Sequence, residues 1–382
     1  MDLWTKVDML GRAASWDTEH GCSPGGGRTR GLDGWIYPAV RPDGKRIRLL
    51  KVLQSSVCEN NCAYCAFRRD RDIRRTAFTP DELARLFADL VHRNQAEGLF
   101  LSSGICGNAA AATDRMLATA DLVRHRYGFK GYLHLKVLPG ADRASIEESV
   151  RLASRVSTNL EAPNAARLSM LSQDKRFDEL LAYLAVADRL RREAPRWVSL
   201  TTQYVVGAAG ETDAELLHTS ARLYRDLGLA RAYYSAFQPV SGTPLEGEQA
   251  TSPAREHRLY QADFLLHEYG FGYDELVFAP DGNLPIHVDP KTRWAQEHPE
   301  FFPVELNTAD PRTLMRVPGI GKRAAERIIT RRRLGRLMDL EHVALRGRLA
   351  SRVAPYVLLD GRAPAYQPDL WQPALLTPSQ TD

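Results

Sequence analysis

The chain has 382 residues, 44% hydrophobic and 26% charged, with a formal net charge of +4, which suits a soluble globular protein of two or three domains and excludes a fibrous or wholly disordered one. No run approaches the roughly 18 consecutive apolar residues of a membrane helix, and the N-terminus MDLWTKVDML lacks the basic-then-apolar order of a signal peptide. Five cysteines are too few and too clustered for a disulfide framework, so a cytoplasmic protein without a membrane partner is expected.

Residues 1–48, with Gly25-Gly26-Gly27 and many turn signals, are expected to be irregular, and Trp4, Trp16, Trp35 and Tyr37 predict that they pack on a larger body. From 49 to about 280 strand and helix alternate. Six β-branched or apolar runs read as strands: 49–56, 98–104, 131–138, 155–161, 198–207 and 230–240. The clearest helix starts at Thr79, where Thr79-Pro80-Asp81-Glu82 supplies an N-cap, a first-turn proline and a capping-box glutamate. Leu83, Leu86, Phe87, Leu90 and Val91 follow at helical spacing and form one apolar stripe. Thr212 and Glu215 repeat the capping pattern after the fifth strand. Such alternation predicts a parallel α/β sheet with functional residues at the strand C-termini, and leaves an open sheet or a barrel undecided.

Residues 281–311 are rich in proline and read as an irregular connector, 312–362 as a small all-α domain, and 363–382 as a loose tail. Between Arg312 and Arg352 lie twelve Lys/Arg against Glu326, Asp339 and Glu341, a net +9 in a chain whose total is +4. Positive charge so concentrated points to a polyanionic partner.

The decisive segment is VCENNCAYCAF, in which Cys58, Cys62 and Cys65 are spaced C-x3-C-x2-C just after the first predicted strand. Soft thiolates this close select zinc or an iron-sulfur cluster. Structural zinc needs a fourth protein ligand, and no Cys or His lies at finger spacing; three ligands on four irons leave one iron open.

This spacing, with Tyr64 before the last cysteine, resembles the signature of the radical S-adenosylmethionine (SAM) superfamily, over residues 49 to about 280. The resemblance implies a partial (βα)6 barrel, a [4Fe-4S] cluster on Cys58, Cys62 and Cys65, and SAM chelating the open iron. It also implies reductive cleavage to a 5′-deoxyadenosyl radical, fed by an electron donor of the flavodoxin or ferredoxin kind. Carried over position by position, Ser102, Ser103 and Gly104 stand where the family holds the SAM amino group, although the usual Gly-Gly-Glu-Pro is absent. Asn159 and Glu161 stand where polar groups face ribose or methionine, and Gly207 where backbone approaches adenine. Lys136 is a candidate for the SAM carboxylate or a substrate phosphate. Cys106 is a candidate hydrogen-atom donor, with a small buried hydrophobe the blander reading.

Residues 313–333 resemble the helix-hairpin-helix motif of DNA repair and recombination proteins. Pro318-Gly319-Ile320-Gly321 forms the hairpin, Lys322 and Arg323 flank a phosphate, and Arg327 and Arg331 continue the stripe. Residues 337–357, with Arg346-Gly347-Arg348, look like a degenerate second copy. The two signatures together resemble radical SAM proteins with a C-terminal helix-hairpin-helix that modify or repair DNA. The expected partner is the duplex DNA backbone, gripped without sequence specificity. The alternatives are an RNA- or tRNA-modifying radical SAM enzyme and a nucleic-acid-binding protein with a structural or redox-sensing cluster.

Overall fold

The structure is a computed structural model describing residues 1–14, 35–40 and 45–365. Cys22, Trp16, the Gly25–Gly27 run and residues 366–382 lie outside the described residues. The chain divides into two units, Met1–Tyr260 and Gln261–Asp382.

The first unit is built on a seven-stranded sheet. Its strands are β1 (Ile36–Val40), β2 (Arg46–Leu53), β3 (Gly98–Ser102), β4 (Tyr132–Lys136), β5 (Arg155–Ser157), β6 (Ser199–Val206) and β7 (Arg231–Ala236). They lie side by side in chain order. β1 is antiparallel to β2, and every later neighbour is parallel, with Lys51 opposite Phe100 and Leu101 opposite Leu135. All six expected strands form. Parallel strands in chain order need crossovers that all return over the same face, which rules out a doubly wound sheet and curls the sheet into a partial barrel.

The crossovers are helical: α2 (Pro80–His92), α3 (Ala109–Asp121), α4 (Arg143–Leu152), α5 (Ala165–Leu171), α6 (Phe177–Glu193) and α7 (Asp213–Leu227). α2 starts with the expected capping box between Thr79 and Glu82 and buries Leu83, Leu86, Phe87 and Leu90. α7 has the second box, Thr212 with Glu215, and ends on Gly228 in the left-handed region.

Residues 1–48 are more regular than expected. Helix α1 (Leu3–Ala13), capped by Asp2, buries Val7 and Leu10, and Gly11 fits closely because a Cβ there would stand 2.6 Å from Trp35 Cβ. β1 carries Pro38, which an edge strand tolerates because its missing N–H costs no ladder bond. Proline and glycine mask the regularity in the sequence, and tertiary contact restores it. Trp4 and Trp35 pair at 5.9 Å.

The second unit also starts its order early. α8 (Pro253–Glu268) spans the unit boundary, and the expected connector contains helix α9 (Pro290–Glu297), capped by Asp289 with Pro290 in its first turn. Here proline starts a helix, because the first-turn N–H it lacks is unpaired anyway. Trp294 of α9 meets Phe271, Phe301 and Phe302 edge to face. A parallel pair, β8 (Val304–Glu305) with β9 (Val357–Leu358), ties the two ends of the C-terminal core. That core runs from Val304 to Leu359, so it begins before residue 312. Inside it are α10 (Pro311–Arg316), α11 (Lys322–Arg332) and α12 (Arg348–Val353). No helix among the described residues is long and apolar enough to cross a membrane.

Candidate functional site

Strand C-termini β2, β3, β4, β6 and β7 open on one cavity of about 280 Å³. Cys58, Cys62 and Cys65 line it, on the loop that leaves β2. Tyr64, Ser102, Ser103, Gly104, Lys136, Asn159 and Glu161 line it too. Residues scattered over more than a hundred positions therefore meet in one place. Cys106 is half-buried and lies outside the lining; Gly207 lies outside it as well.

The cysteine loop is held by main-chain bonds. Glu59 N donates to Ile105 O at 2.8 Å, and Gly104 N to Ser55 O at 2.8 Å. Gly104 lets the two loops touch: a Cβ there would stand 2.4 Å from Val57 O. Arg75 closes the loop from below by donating to the carbonyls of Ser56, Phe67, Arg68, Arg69 and Arg71. Amides also face the sulfurs, Ile105 N to Cys58 Sγ and Phe67 N to Cys65 Sγ, each at 3.4 Å. Such donors tune a cluster's potential. Burial pushes the Cys65 thiol up to about 12 and raises Cys58 in the same direction. Among the described residues no three metal-binding side chains converge to the spacing of a single ion. All three thiols line the cavity.

Beside the cysteine loop, Lys175 Nζ lies 2.8 Å from Glu161 Oε1 and 3.1 Å from Tyr64 Oη. Burial works to lower the Lys175 pKa, but Cys62, Glu161 and Tyr64 together outweigh it and hold it well above an ordinary lysine. Glu161 has φ of +63°, a left-handed conformation uncommon for a side-chain-bearing residue and costly enough to need support from its surroundings. Asn159 donates to Gln203 at 3.4 Å, and its Oδ1 is buried without a hydrogen-bond partner among the described residues. A buried orphan acceptor on the wall of a cavity is satisfied when a ligand brings a donor. Gly207 has φ of +93° and its N–H donates to Glu211, so its part is a tight turn beside the cavity.

Sequence reasoning missed Lys175, Arg75 and Gln203. Gln203 left a signal, the longest polar side chain among the positions of β6 that share its parity, Ser199, Thr201 and Val205. Lys175 left none, because it lies in the link between α5 and α6 and only the fold brings it to Glu161.

In the second unit the segment 311–332 forms two helices around the Pro318–Gly321 turn, with Gly319 at φ of +86°. Ala324, Ala325 and Ile328 are buried, while Lys322, Arg323, Arg327 and Arg331 are exposed. A 3-10 turn at Leu340–Val343, the Arg346-Gly347 bend and α12 repeat the plan. The copies pack together, since a Cβ on Gly319 would stand 2.8 Å from Val353. The charge is only partly available. Arg316 is paired with Glu275, Arg336 with Asp360 and Arg352 with Asp289, Arg332 donates to Leu306 O and Ala309 O, and Arg327 to Val343 O.

A family described as the helix-hairpin-helix motif matches residues 301–344. The chain is 24% identical over 191 residues to the tRNA-2-methylthio-N(6)-dimethylallyladenosine synthase of Lachnoclostridium phytofermentans, covering 49% of this chain and 41% of that one. It is 23% identical over 206 residues to the threonylcarbamoyladenosine tRNA methylthiotransferase MtaB of Thermotoga maritima, covering 52% and 46%. In its cysteine-bearing unit the chain is similar to radical SAM enzymes. Distant likenesses of fold include methylornithine synthase PylB, with a TM-score of 0.48 and 15% identity over 70% of this chain and 76% of that one. The hydrogenase maturase HydG has a TM-score of 0.45 and 12% identity over 56% and 48%. The chain spans less than half the length of the two methylthiotransferases.

The cofactors of a radical SAM barrel are a [4Fe-4S] cluster and SAM, and the residues here fit them. Three thiols on one loop leave a cluster corner open, and the orphaned Asn159 Oδ1, the Ser102–Gly104 segment and Lys136 offer polar atoms on the facing walls of the same cavity.

Proposed function

We propose that this radical SAM enzyme modifies a nucleic acid, which its helix-hairpin-helix unit grips by the phosphate backbone. The observation that carries the reading is the presence of both parts in one chain: a cysteine-lined barrel cavity and a hairpin with Lys322 and Arg323 exposed beside its turn. When bound, cluster and SAM supply one-electron chemistry and a hydrogen-abstracting radical.

The chain's own residues set the conditions for it. Cys58, Cys62 and Cys65 hold the cluster, Ser102, Ser103 and Gly104 receive the SAM amino group, and Asn159 and Glu161 face the ribose or methionine. Glu161 and Lys175 form a buried ion pair that keeps two charges fixed in the cavity wall. Leu53, Val137, Leu138 and Phe237 provide the apolar lining that excludes water.

For the substrate we favour structured RNA of the tRNA kind, because the relatives named above are tRNA-modifying by their names. Duplex DNA is the second reading, and the hairpin favours it: phosphate grips of this kind position a protein on a duplex without reading bases. A base inside a duplex must be extruded before its atoms can be reached. Thiolate ligands to iron suit a reducing, cytoplasmic compartment.

The test is anaerobic reconstitution with iron and sulfide, then incubation with SAM, dithionite and either bulk tRNA or duplex DNA, followed by mass spectrometry of the nucleosides. A new mass in tRNA nucleosides alone supports the first reading, and one in DNA alone the second. Formation of 5′-deoxyadenosine with neither nucleic acid altered or bound defeats both.

A further inference from the structure

The hairpin turn of the C-terminal unit is held from behind by an amine. Lys291, in the first turn of α9, is only 7% exposed. Its Nζ lies 2.6 Å from Ile320 O and 3.2 Å from Val317 O, the two carbonyls that bracket Pro318-Gly319. It also stands 4.5 Å from the centroid of the Tyr269 ring. The nearby Asp289 carboxylate is occupied by Arg352, by the Thr292 amide at 3.1 Å and by the Thr292 hydroxyl at 2.5 Å. Lys291 therefore directs its hydrogen bonds to main-chain oxygens of the turn.

This arrangement is costly, because a buried ammonium loses its hydration and dipoles replace it only in part. It has a geometric effect in return. The C=O and N–H of a trans peptide point in opposite directions, so drawing Ile320 O inward aims the Gly321 N–H outward, at the start of α11. An anion at that end meets an amide whose orientation is fixed. Two carbonyls converging on one point are also what a dehydrated monovalent cation seeks.

We propose that Lys291 is a built-in cation of the hairpin: its ammonium fixes the turn for nucleic-acid phosphate, so that no bound monovalent metal ion is needed behind it. The inference rests on the nucleic-acid reading above and names a positioning residue within it.

A second consequence concerns pH. Burial pulls the Lys291 pKa down to about 7; Asp289 on α9 acts to raise it, and Arg352 on α12 to lower it further. Tyr269, after α8, is the other titratable group in contact, and the hairpin contributes the two carbonyls. Phosphate on the outer side favours the charged amine, so affinity falls as the pH rises through this value. Stability moves the other way. The unfolded chain keeps the lysine proton up to about pH 10, so above neutrality it binds more protons than the folded chain and folding gains as the pH rises. A purely structural lysine does not separate the two trends.

The experiment measures binding of the cluster-loaded full chain to duplex RNA and to duplex DNA, with melting temperature, from about pH 6 to about pH 8. It is run at one ionic strength in potassium chloride and in tetramethylammonium chloride. Wild type is expected to bind equally in both salts, to weaken about tenfold across the range and to melt higher at the alkaline end. Lys291→Ala is expected to bind about tenfold more weakly in tetramethylammonium, to recover in potassium and to lose the pH trend. If that variant binds as wild type in both salts with the same pH trend, the role of Lys291 is overturned and the nucleic-acid reading stands. If wild type itself binds only in potassium, the built-in cation is overturned; this comparison decides the matter should the variant fail to fold. If wild type binds neither duplex, both inferences fall together.

Discussion

Lys175 Nζ lies 2.8 Å from Glu161 Oε1, a contact between side chains 10% and 6% exposed on the wall of the barrel cavity. Removing one partner leaves the other buried without a counter-charge, which costs about 3–5 kcal/mol, whereas replacing both is nearly neutral. Lys175→Met is therefore expected to lower the urea midpoint sharply, and Glu161→Gln with Lys175→Met to recover most of it. Equal losses in the single and double variants would show that the pair is not coupled.

Cys58→Ala, Cys62→Ala and Cys65→Ala are each expected to abolish iron loading on anaerobic reconstitution, and Cys106→Ser to leave it intact. The pH dependence follows from burial, which pushes Cys65 up to about 12. Around neutrality the metal-free Cys58 and Cys65 thiols keep their protons, so cluster loading releases protons and proceeds faster as the pH rises. The folded pKa is above the unfolded one, so the metal-free chain holds more protons folded and loses stability as the pH climbs past the ordinary thiol value. Proton release on loading and alkaline melting of metal-free protein check the two parts. Loading that is insensitive to pH contradicts the first.

Gly104→Ala brings a Cβ to 2.4 Å from Val57 O, a main-chain atom that cannot rotate away. The two loops must separate, at a cost of about 1–3 kcal/mol. Iron content and urea midpoint should fall together. An unchanged iron content in a folded variant refutes the idea that loop contact positions the cysteines.

Lys322→Ala and Arg323→Ala act on exposed cations beside the hairpin. Each is expected to weaken nucleic-acid binding uniformly across sequences and to reduce the slope of log affinity against log salt by about one. Arg332→Ala, whose guanidinium is turned inward onto the carbonyls of Leu306 and Ala309, is the control and should leave the slope unchanged. Equal slopes for all three variants would remove the hairpin from the interface.

Much of this was legible in the sequence, for local reasons. The six parallel strands are short apolar runs, the caps at Thr79 and Thr212 complete themselves within four residues, and the cysteine triad lies within eight. The PGIG turn needs glycine at Gly319, whose φ is +86°, and only the motif's own residues to be recognised. Where proline and glycine occur in regular structure, at Gly11, Pro38 and Pro290, their usual meaning as breakers hid one helix, one edge strand and another helix.

The sequence by itself determined the ligand set, the strand order's raw material and the cationic stretch, because each is written in neighbouring residues. Only the tertiary structure decided that Lys175 faces Glu161, that Gly104 must admit Val57, that five carbonyls converge on Arg75 and that Lys291 is placed behind the hairpin. It also decided which arginines are committed inward. These are contacts between residues far apart in the chain, and burial alone fixes them: a charge or a carbonyl removed from water must find its partner wherever the fold brings one.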